Sequence, residues 1–247
     1  GFGGQSLSSV KIDLLQDKGR TLSARMTGKA RGGAPASFSL LPSGNQMKME
    51  MYTQNAGSVL KFLDIYGKVQ GGNIQTSLSR DRSGVYRGTV KATDFFLLNE
   101  PRLGQLLKPA STVRSVDRET NTQVRVEQRV DPRKAKISTL TAEVEQSRSQ
   151  LIIRRGRLQG GDAGAAFEGT VYDKNNRISI KGTFLPARGL NRAASRIPLL
   201  GLAFGKGKVN GLVGITFRLS GLYTNPTLSV NPLSIIAPGV FRQLFKF

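Results

Sequence analysis

Cysteine, histidine and tryptophan are all absent from the 247 residues, and acidic residues are scarce, 16 against 37 Lys and Arg. Without Cys or His there is no structural zinc site of the Cys/His kind, no thiol nucleophile, and no triad or general base built on imidazole. The missing thiols say nothing of compartment, because a periplasmic protein can simply do without them. Long apolar runs are missing too. The longest candidate, Ile197 to Phe204, has eight residues with Pro198 and Gly201 inside it, against the roughly 18 that a spanning helix needs. No signal peptide is visible at Gly1. The chain opens Gly1-Phe2-Gly3-Gly4 without Met, so it is expected to be a fragment, with any membrane anchor in the part not present.

What is present is cation, glycine and short apolar alternation. The formal charge of +21 points to an anionic partner, whether nucleic acid, a membrane surface or an acidic protein; a solvated surface of a basic protein is the blander reading. Hydrophobic residues make up 38% and there are 29 Gly. Such a chain builds a thin core from strands and turns, in one large all-β domain or two small ones. Charge is unevenly spread: Lys174 to Phe247 holds eleven Lys or Arg and no acid.

Alternation of period two puts one face of a strand in apolar surroundings and the other in water. It runs through Val10-Ile12-Leu14, Leu22-Ala24-Met26, Met47-Met49-Met51 and Ile74-Thr76-Leu78. Further strands are expected at Val85 to Val90, Phe95 to Leu98, Lys136 to Val144, Gln150 to Ile153, Ala165 to Val171 and Arg177 to Phe184. Val59, Phe62, Leu63 and Tyr66 fall at helical spacing, which predicts a short helix over 55–66 capped by Gly67. A second short helix is expected over 103–108, and the polar stretch 110–121 reads as a mobile loop. Val69-Gln70-Gly71-Gly72 with Gly88-Thr89-Val90 echoes Leu158-Gln159-Gly160-Gly161 with Gly169-Thr170-Val171, a weak repeat of the kind that extends a sheet along one axis.

Three near-motifs carry no chemistry. Gly201 to Lys206 is one residue short of a phosphate loop, and Gly207 replaces the Ser/Thr that would hold magnesium. Gly205-Lys206-Gly207 with Gly211 misses the dinucleotide spacing and precedes a strand. Both read as turns. Glu143 and Glu145 are same-face neighbours, either a carboxylate pair or a solvated strand face. No nucleic-acid motif appears, and the aromatics sit inside apolar patterns rather than among the cations, so nucleic acid is not the expected partner.

The strongest pattern lies in the acid-free tail. Val209, Val213, Ile215, Phe217 and Leu219 share one strand face, opposite Thr216, Arg218 and Ser220. Ile178, Ile180 and Phe184 do the same opposite Arg177, Ser179 and Lys181, and Leu228 and Val230 follow in the next strand. The pattern fits an ordinary core, and it fits a curved sheet whose apolar face stays open to acyl chains. Between these strands Arg188, Arg192 and Arg196 form a basic helical stripe at i, i+4, i+8. Arg242 and Lys246 stand among terminal Phe residues. These five cations suit an anionic bilayer surface, at about 1 kcal/mol each.

Segments of the chain resemble the C-terminal region of the AsmA-like family. They are Gly57 to Gly72; Gly182-Thr183-Phe184-Leu185-Pro186 followed by Ile197-Pro198-Leu199-Leu200-Gly201; and the ending Arg218-Leu219-Ser220-Gly221, Asn225-Pro226, Val230-Asn231-Pro232-Leu233-Ser234 and Ala237-Pro238-Gly239. The resemblance implies a long β-sheet curled into a hydrophobic groove, and with the residue patterns the expected fold is an elongated, curved, mostly antiparallel β-sheet with short amphipathic helices near 55–66, 188–204 and the C-terminus. The whole of 1–247 would be one such groove region, with 186–247 as a helical and strand cap. It further implies a periplasmic bridge, anchored in the inner membrane, that carries phospholipids toward the outer membrane. Phospholipids, an anionic membrane surface and an outer-membrane or periplasmic protein are the expected partners, with no cofactor, metal or catalytic residue. The alternative is a non-conducting envelope scaffold that docks an outer-membrane assembly partner.

Overall fold

The computed structural model describes residues 4–110, 114–116, 123–125, 131, 133–161, 164–185 and 215–231. Four strands lead: β1 (Ser8–Asp17), β2 (Arg20–Lys29), β3 (Pro35–Ser43) and β4 (Gln46–Thr53). Helix α1 (Ala56–Phe62) precedes the long pair β5 (Val69–Arg80) and β6 (Tyr86–Leu98). Helix α2 (Pro101–Ala110) and a small ribbon, β7 (Arg114–Val116) with β8 (Gln123–Arg125), come next. The chain returns as β9 (Lys134–Gln146), β10 (Leu151–Gly160), β11 (Gly164–Tyr172) and β12 (Arg177–Leu185). Strands β13 (Ile215–Leu222) and β14 (Asn225–Asn231) end the described chain.

All strands but β7 and β8 belong to one open sheet of twelve, each antiparallel to its neighbours and laid down in chain order. At ~4.8 Å between strands, the sheet is about 50 Å across along its curve. The elongated, curved antiparallel sheet expected from the sequence is thus what folds.

The register explains why the alternation was so regular. Ile12 lies opposite Met26, Met26 opposite Phe38, Phe38 opposite Met51, and Met51 opposite Thr76. The same row continues through Val90, Ala142, Gly156, Phe167, Gly182, Phe217 and Val230. One apolar face therefore crosses all twelve strands. The other face is polar and laced with ion pairs: Glu143–Arg155 at 2.8 Å, Glu145–Arg154 at 2.9 Å, and Glu168–Lys181 at 3.2 Å. Glu143 and Glu145 are consequently two separate ion-pair partners on the solvated face, not a carboxylate dyad. Such exposed pairs add ~0–1 kcal/mol each and mark the face that meets water.

Irregularities line up and bend this sheet. Gly72 (φ 80°) in β5, Asp94 (φ 55°) in β6 and Ser138 in β9 are all skipped by the pairing on either side of them, and β9 and β10 slip register between Gln159 and Gly160. A Cβ on Gly72 would stand 2.6 Å from the Phe95 Cβ, so only Gly fits there. The slip between β9 and β10, which leaves Ser138 extra, is a bulge, and a bulge increases twist and bends the strand. At Gly72 and Asp94 the register is unchanged, and the skipped residues let Ala92 and Phe95, three apart, join Ile74 and Ile137 in one buried cluster. The echo in the sequence has a related meaning: a Cβ on Gly88 would meet Ser77 O at 2.0 Å, and one on Gly169 would meet Ser179 O at 2.1 Å. Each is a close approach of neighbouring strands.

The first helix is shorter than the spacing predicts. Asn55 caps it, its side-chain oxygen accepting from Ser58 N–H at 3.1 Å. It ends at Leu63 rather than Gly67. Asp64 takes the left-handed conformation (φ 55°), Ile65 N–H reaches Leu60 O at 2.9 Å, and Asp64 N–H reaches Lys61 O at 3.2 Å. This is the paired closure usual for Gly, here supplied by Asp, whose short polar side chain tolerates it. Ala56 and Val59 bury against the sheet. Helix α2 starts with Pro101 at its first position, and Glu100 caps it by accepting from Arg102 N–H at 3.2 Å. It covers 101–110, longer than expected. Strand β10 is also longer, because the slip between Ile153 and Gly156 hides its period. Of the stretch 110–121, Arg114–Val116 forms β7. The helices expected over 188–204 and at the C-terminus, and most of the cap, lie outside the described residues. Among the described residues no helix is long and apolar enough to cross a membrane.

Candidate functional site

Among the described residues the only sheet besides the twelve-stranded one is the two-stranded β7–β8 ribbon. The large sheet coils onto itself. Adjacent strands rotate by about 20–25°, so the five steps from β9 to β14 accumulate a turn of roughly 100–125°. Two hydrogen bonds fix the result. Arg102 Nε donates to Pro226 O at 3.4 Å, across 124 residues, and Tyr223 hydroxyl donates to Ile65 O at 3.4 Å, across 158 residues. Pro226 opens β14 at the end of the sheet where β9 finishes, whereas Arg102 follows β6 at the end where β9 begins. Only a coiled sheet brings these ends together.

Between the coiled strands lies a cavity of about 520 Å³. Leu97, Ala135 and Ile137 form one wall, and Leu158, Ala165 and Phe167 the floor. Phe184, Phe217, Leu219 and Leu228 form the facing wall, and Leu103 and Leu106 of α2 close over it. The rings need space that Gly provides. A Cβ on Gly156 would meet the Phe167 ring at 2.3 Å, and one on Gly182 would meet the Phe217 ring at 2.8 Å. The two rings therefore lie over bare backbone of the neighbouring strand and keep the wall thin.

Polar groups gather at one end. Tyr66 hydroxyl donates to Glu100 Oε2, and Arg102 Nη1 and Lys68 Nζ stand 3.1 Å and 3.7 Å from the same carboxylate. Glu100 is 7% exposed. Burial by itself pushes its carboxyl up, but the Tyr66 hydroxyl, the Arg102 N–H and the two cations outweigh that and hold it below the ordinary carboxylate value. Burial, then the Glu100 hydrogen bond, push the Tyr66 phenol well up. The ionised carboxylate and neutral phenol are thus the stable pair near neutrality. Four residues from two segments, the loop before β5 and the start of α2, form a clasp, and Arg102 ties it to Pro226 O across the coil, closing it over the cavity.

Of the residues singled out in the sequence, Phe184, Phe217, Leu219 and Leu228 line the cavity. Val230 packs beside it on the Ala165–Phe184–Ile215 cluster. Ile215 is 0% exposed within that cluster and backs the wall without facing the space. Ile178 is buried and Ile180 half-buried on the same face of β12; neither lines the cavity. Val209, Val213, Arg188, Arg192, Arg196, Arg242 and Lys246 lie outside the described residues. The sequence pattern missed Leu103, Leu106, Leu158 and Phe167 and the whole clasp. Glu100-Pro101, a capping acid before a helix-starting proline, was the one legible sign of the clasp.

The lining offers hydrocarbon and a single charged end. Among the described residues no group of three His, Cys, Asp or Glu is placed to hold a metal ion. An apolar lining with a few polar groups at one end favours apolar groups over polar ones. No known protein family, curated protein or solved structure matches this chain.

Proposed function

We propose that this chain is a lipid-holding segment of a bridge-like carrier that moves phospholipids along its apolar face between inner and outer membranes. The observation that carries the reading is the single apolar face that crosses all twelve strands and that no second large sheet covers among the described residues. A diacyl lipid hides roughly 30 methylenes from water at about 0.8 kcal/mol each, so crossing water alone costs about 24 kcal/mol. A continuous trough removes most of that barrier. One leaflet's hydrocarbon is about 15 Å deep, and the sheet is about 50 Å across, so a lipid has room to advance by more than its own length.

The AsmA-like residues in the sequence support the same reading, and with it a periplasmic location and an inner-membrane anchor elsewhere in a longer protein. The proposal rests on these and on the geometry, since no family match carries it. The excess of cations suits anionic headgroups and an anionic bilayer surface. Native mass spectrometry of the chain, released gently from a diderm host, tests the idea. Co-purified phospholipid is the expected result. A chain that emerges free of lipid, and takes none from vesicles, overturns it.

A further inference from the structure

The two edge strands of the sheet differ. Strand β14 has seven residues and carries Pro226, a residue that blunts an edge. Strand β1 runs for ten residues, holds no Pro, and is exposed at every one of them. Its register slips only near its ends, between Ser8 and Lys11 and between Leu15 and Gln16. Between those slips Lys11 to Leu15 pairs residue for residue with β2. Among the described residues no strand pairs with the other side of β1. Val10, Ile12 and Leu14 are exposed. Ile12 and Leu14 lie opposite Met26 and Ala24, and a Cβ on Gly28 would touch the Val10 side chain. All three therefore stand on the apolar face, which reaches this edge uncovered among the described residues. A regular, apolar, proline-free edge of this kind is a template for another strand.

The sequence of the edge is complementary to itself. Antiparallel pairing of two copies of β1 centred on Ile12 sets Ile12 against Ile12, Val10 against Leu14 twice, and Lys11 against Asp13 twice. Apolar residues then meet on one face and opposite charges on the other, the pairs that stabilise a sheet. Asp13 already lies opposite Arg25 of β2, so Lys11 of the second copy completes a row of cation, acid, cation. Neighbouring registers lack this match. Centred on Asp13, the strands oppose Asp13 to Asp13; centred on Lys11, they oppose Lys11 to Lys11. Like charges directly opposite are destabilising. Centred on Leu14, they set Ile12 against Gln16 and run across the slip after Leu15.

We propose that β1 is an interface for a second copy of this chain, joined edge to edge about a two-fold axis that passes through Ile12 perpendicular to the sheet. Such a contact is isologous and closes on itself. It keeps both apolar faces on the same side, so the apolar row passes from one copy into the other. The pairing stands apart from the lipid reading, because it needs only the backbone edge and the side chains of β1.

Sedimentation velocity of the whole chain across a range of concentrations tests this, with circular dichroism to check that each variant folds. A monomer–dimer equilibrium is expected. Lys11→Asp sets acid against acid at both charged pairs, and Asp13→Lys sets base against base; each is expected to weaken the dimer about tenfold or more. Mixed one to one, the two variants again oppose acid and base at both pairs, and the dimer is expected to return. The chain has no Cys, so a single introduced thiol reports the register. Ile12→Cys places a thiol directly opposite its own copy, with ~4.5–5.5 Å between Cα atoms, within disulfide reach. Leu15→Cys, three residues off the axis, stands ~20 Å from its copy. Oxidation is expected to link the first variant and not the second. A dimer that neither charge variant weakens, or that mixing does not restore, overturns the inference, as does equal disulfide formation from both thiols. A chain that stays monomeric throughout overturns it too, and gives this edge to another segment or a different partner. None of these outcomes bears on whether the apolar face holds lipid.

Discussion

Glu100→Gln removes the charge at the centre of the clasp while keeping shape and one acceptor oxygen. The wild-type carboxylate is 7% exposed and receives the Tyr66 hydroxyl, the Arg102 N–H and two cations. Breaking a fully buried ion pair costs about 3–5 kcal/mol. Arg102 and Lys68 are 29% and 41% exposed, and solvent screens that figure, so about 2 kcal/mol is the expected loss. For a chain of this size that lowers Tm by about 4–8 °C. The pH dependence follows from linkage. Glu100 has a folded pKa below its ordinary value of 4.5. The unfolded chain therefore binds the proton more readily, and stability rises with pH through this window. The contribution is complete above the unfolded pKa and is lost as pH falls through the folded one. Thermal unfolding followed by circular dichroism from pH 3 to 7 reads both effects. The gap between wild type and Glu100→Gln is largest near pH 7 and closes in acid. A gap under about 1 °C at pH 7, or one that does not change with pH, refutes the clasp. Hydrogen exchange adds a spatial check, because loss of the clasp speeds exchange both near Tyr66 and in the turn before Pro226.

Other residues give simpler outcomes. Ile215→Ala empties the most buried large side chain of the facing wall and lowers stability by about 3 kcal/mol, measured by urea denaturation. Asn55→Ala removes the cap of α1 at a cost of about 1 kcal/mol, read as lost helix signal and a lower urea midpoint. Ile12 is 65% exposed on the outer strand β1, whose far edge has no partner strand among the described residues. Ile12→Lys is expected to suppress concentration-dependent self-association, measured by light scattering, because charge on an edge strand blocks strand addition.

The strands were legible because each shows a single apolar face, from Ile12 in β1 to Val230 in β14. Alternation broke where the backbone bulges, and there the reading failed. Arg154 and Arg155 fall together in the register slip of β10, so only its first residues read as strand. The end of α1 was misplaced because Gly67 is the obvious cap by composition, while the left-handed residue is Asp64. The facing wall of the cavity was found through Phe184, Phe217, Leu219 and Leu228, whose period is local. Its floor and roof were not, since Leu158 and Leu103 reach the site only through coiling of the sheet. The clasp was invisible for the same reason: Arg102 and Pro226 meet across 124 residues, and no local pattern encodes that.

The central claim is that one face of this sheet holds acyl chains and the other does not. Photo-crosslinking residues placed one at a time in living cells test it directly. Phe217 and Leu228 line the cavity, and Thr227 is exposed on the opposite face of β14. The account predicts lipid adducts from Phe217 and Leu228 and none from Thr227. Equal labelling from both faces, or adducts only to protein from Phe217 and Leu228, contradicts it.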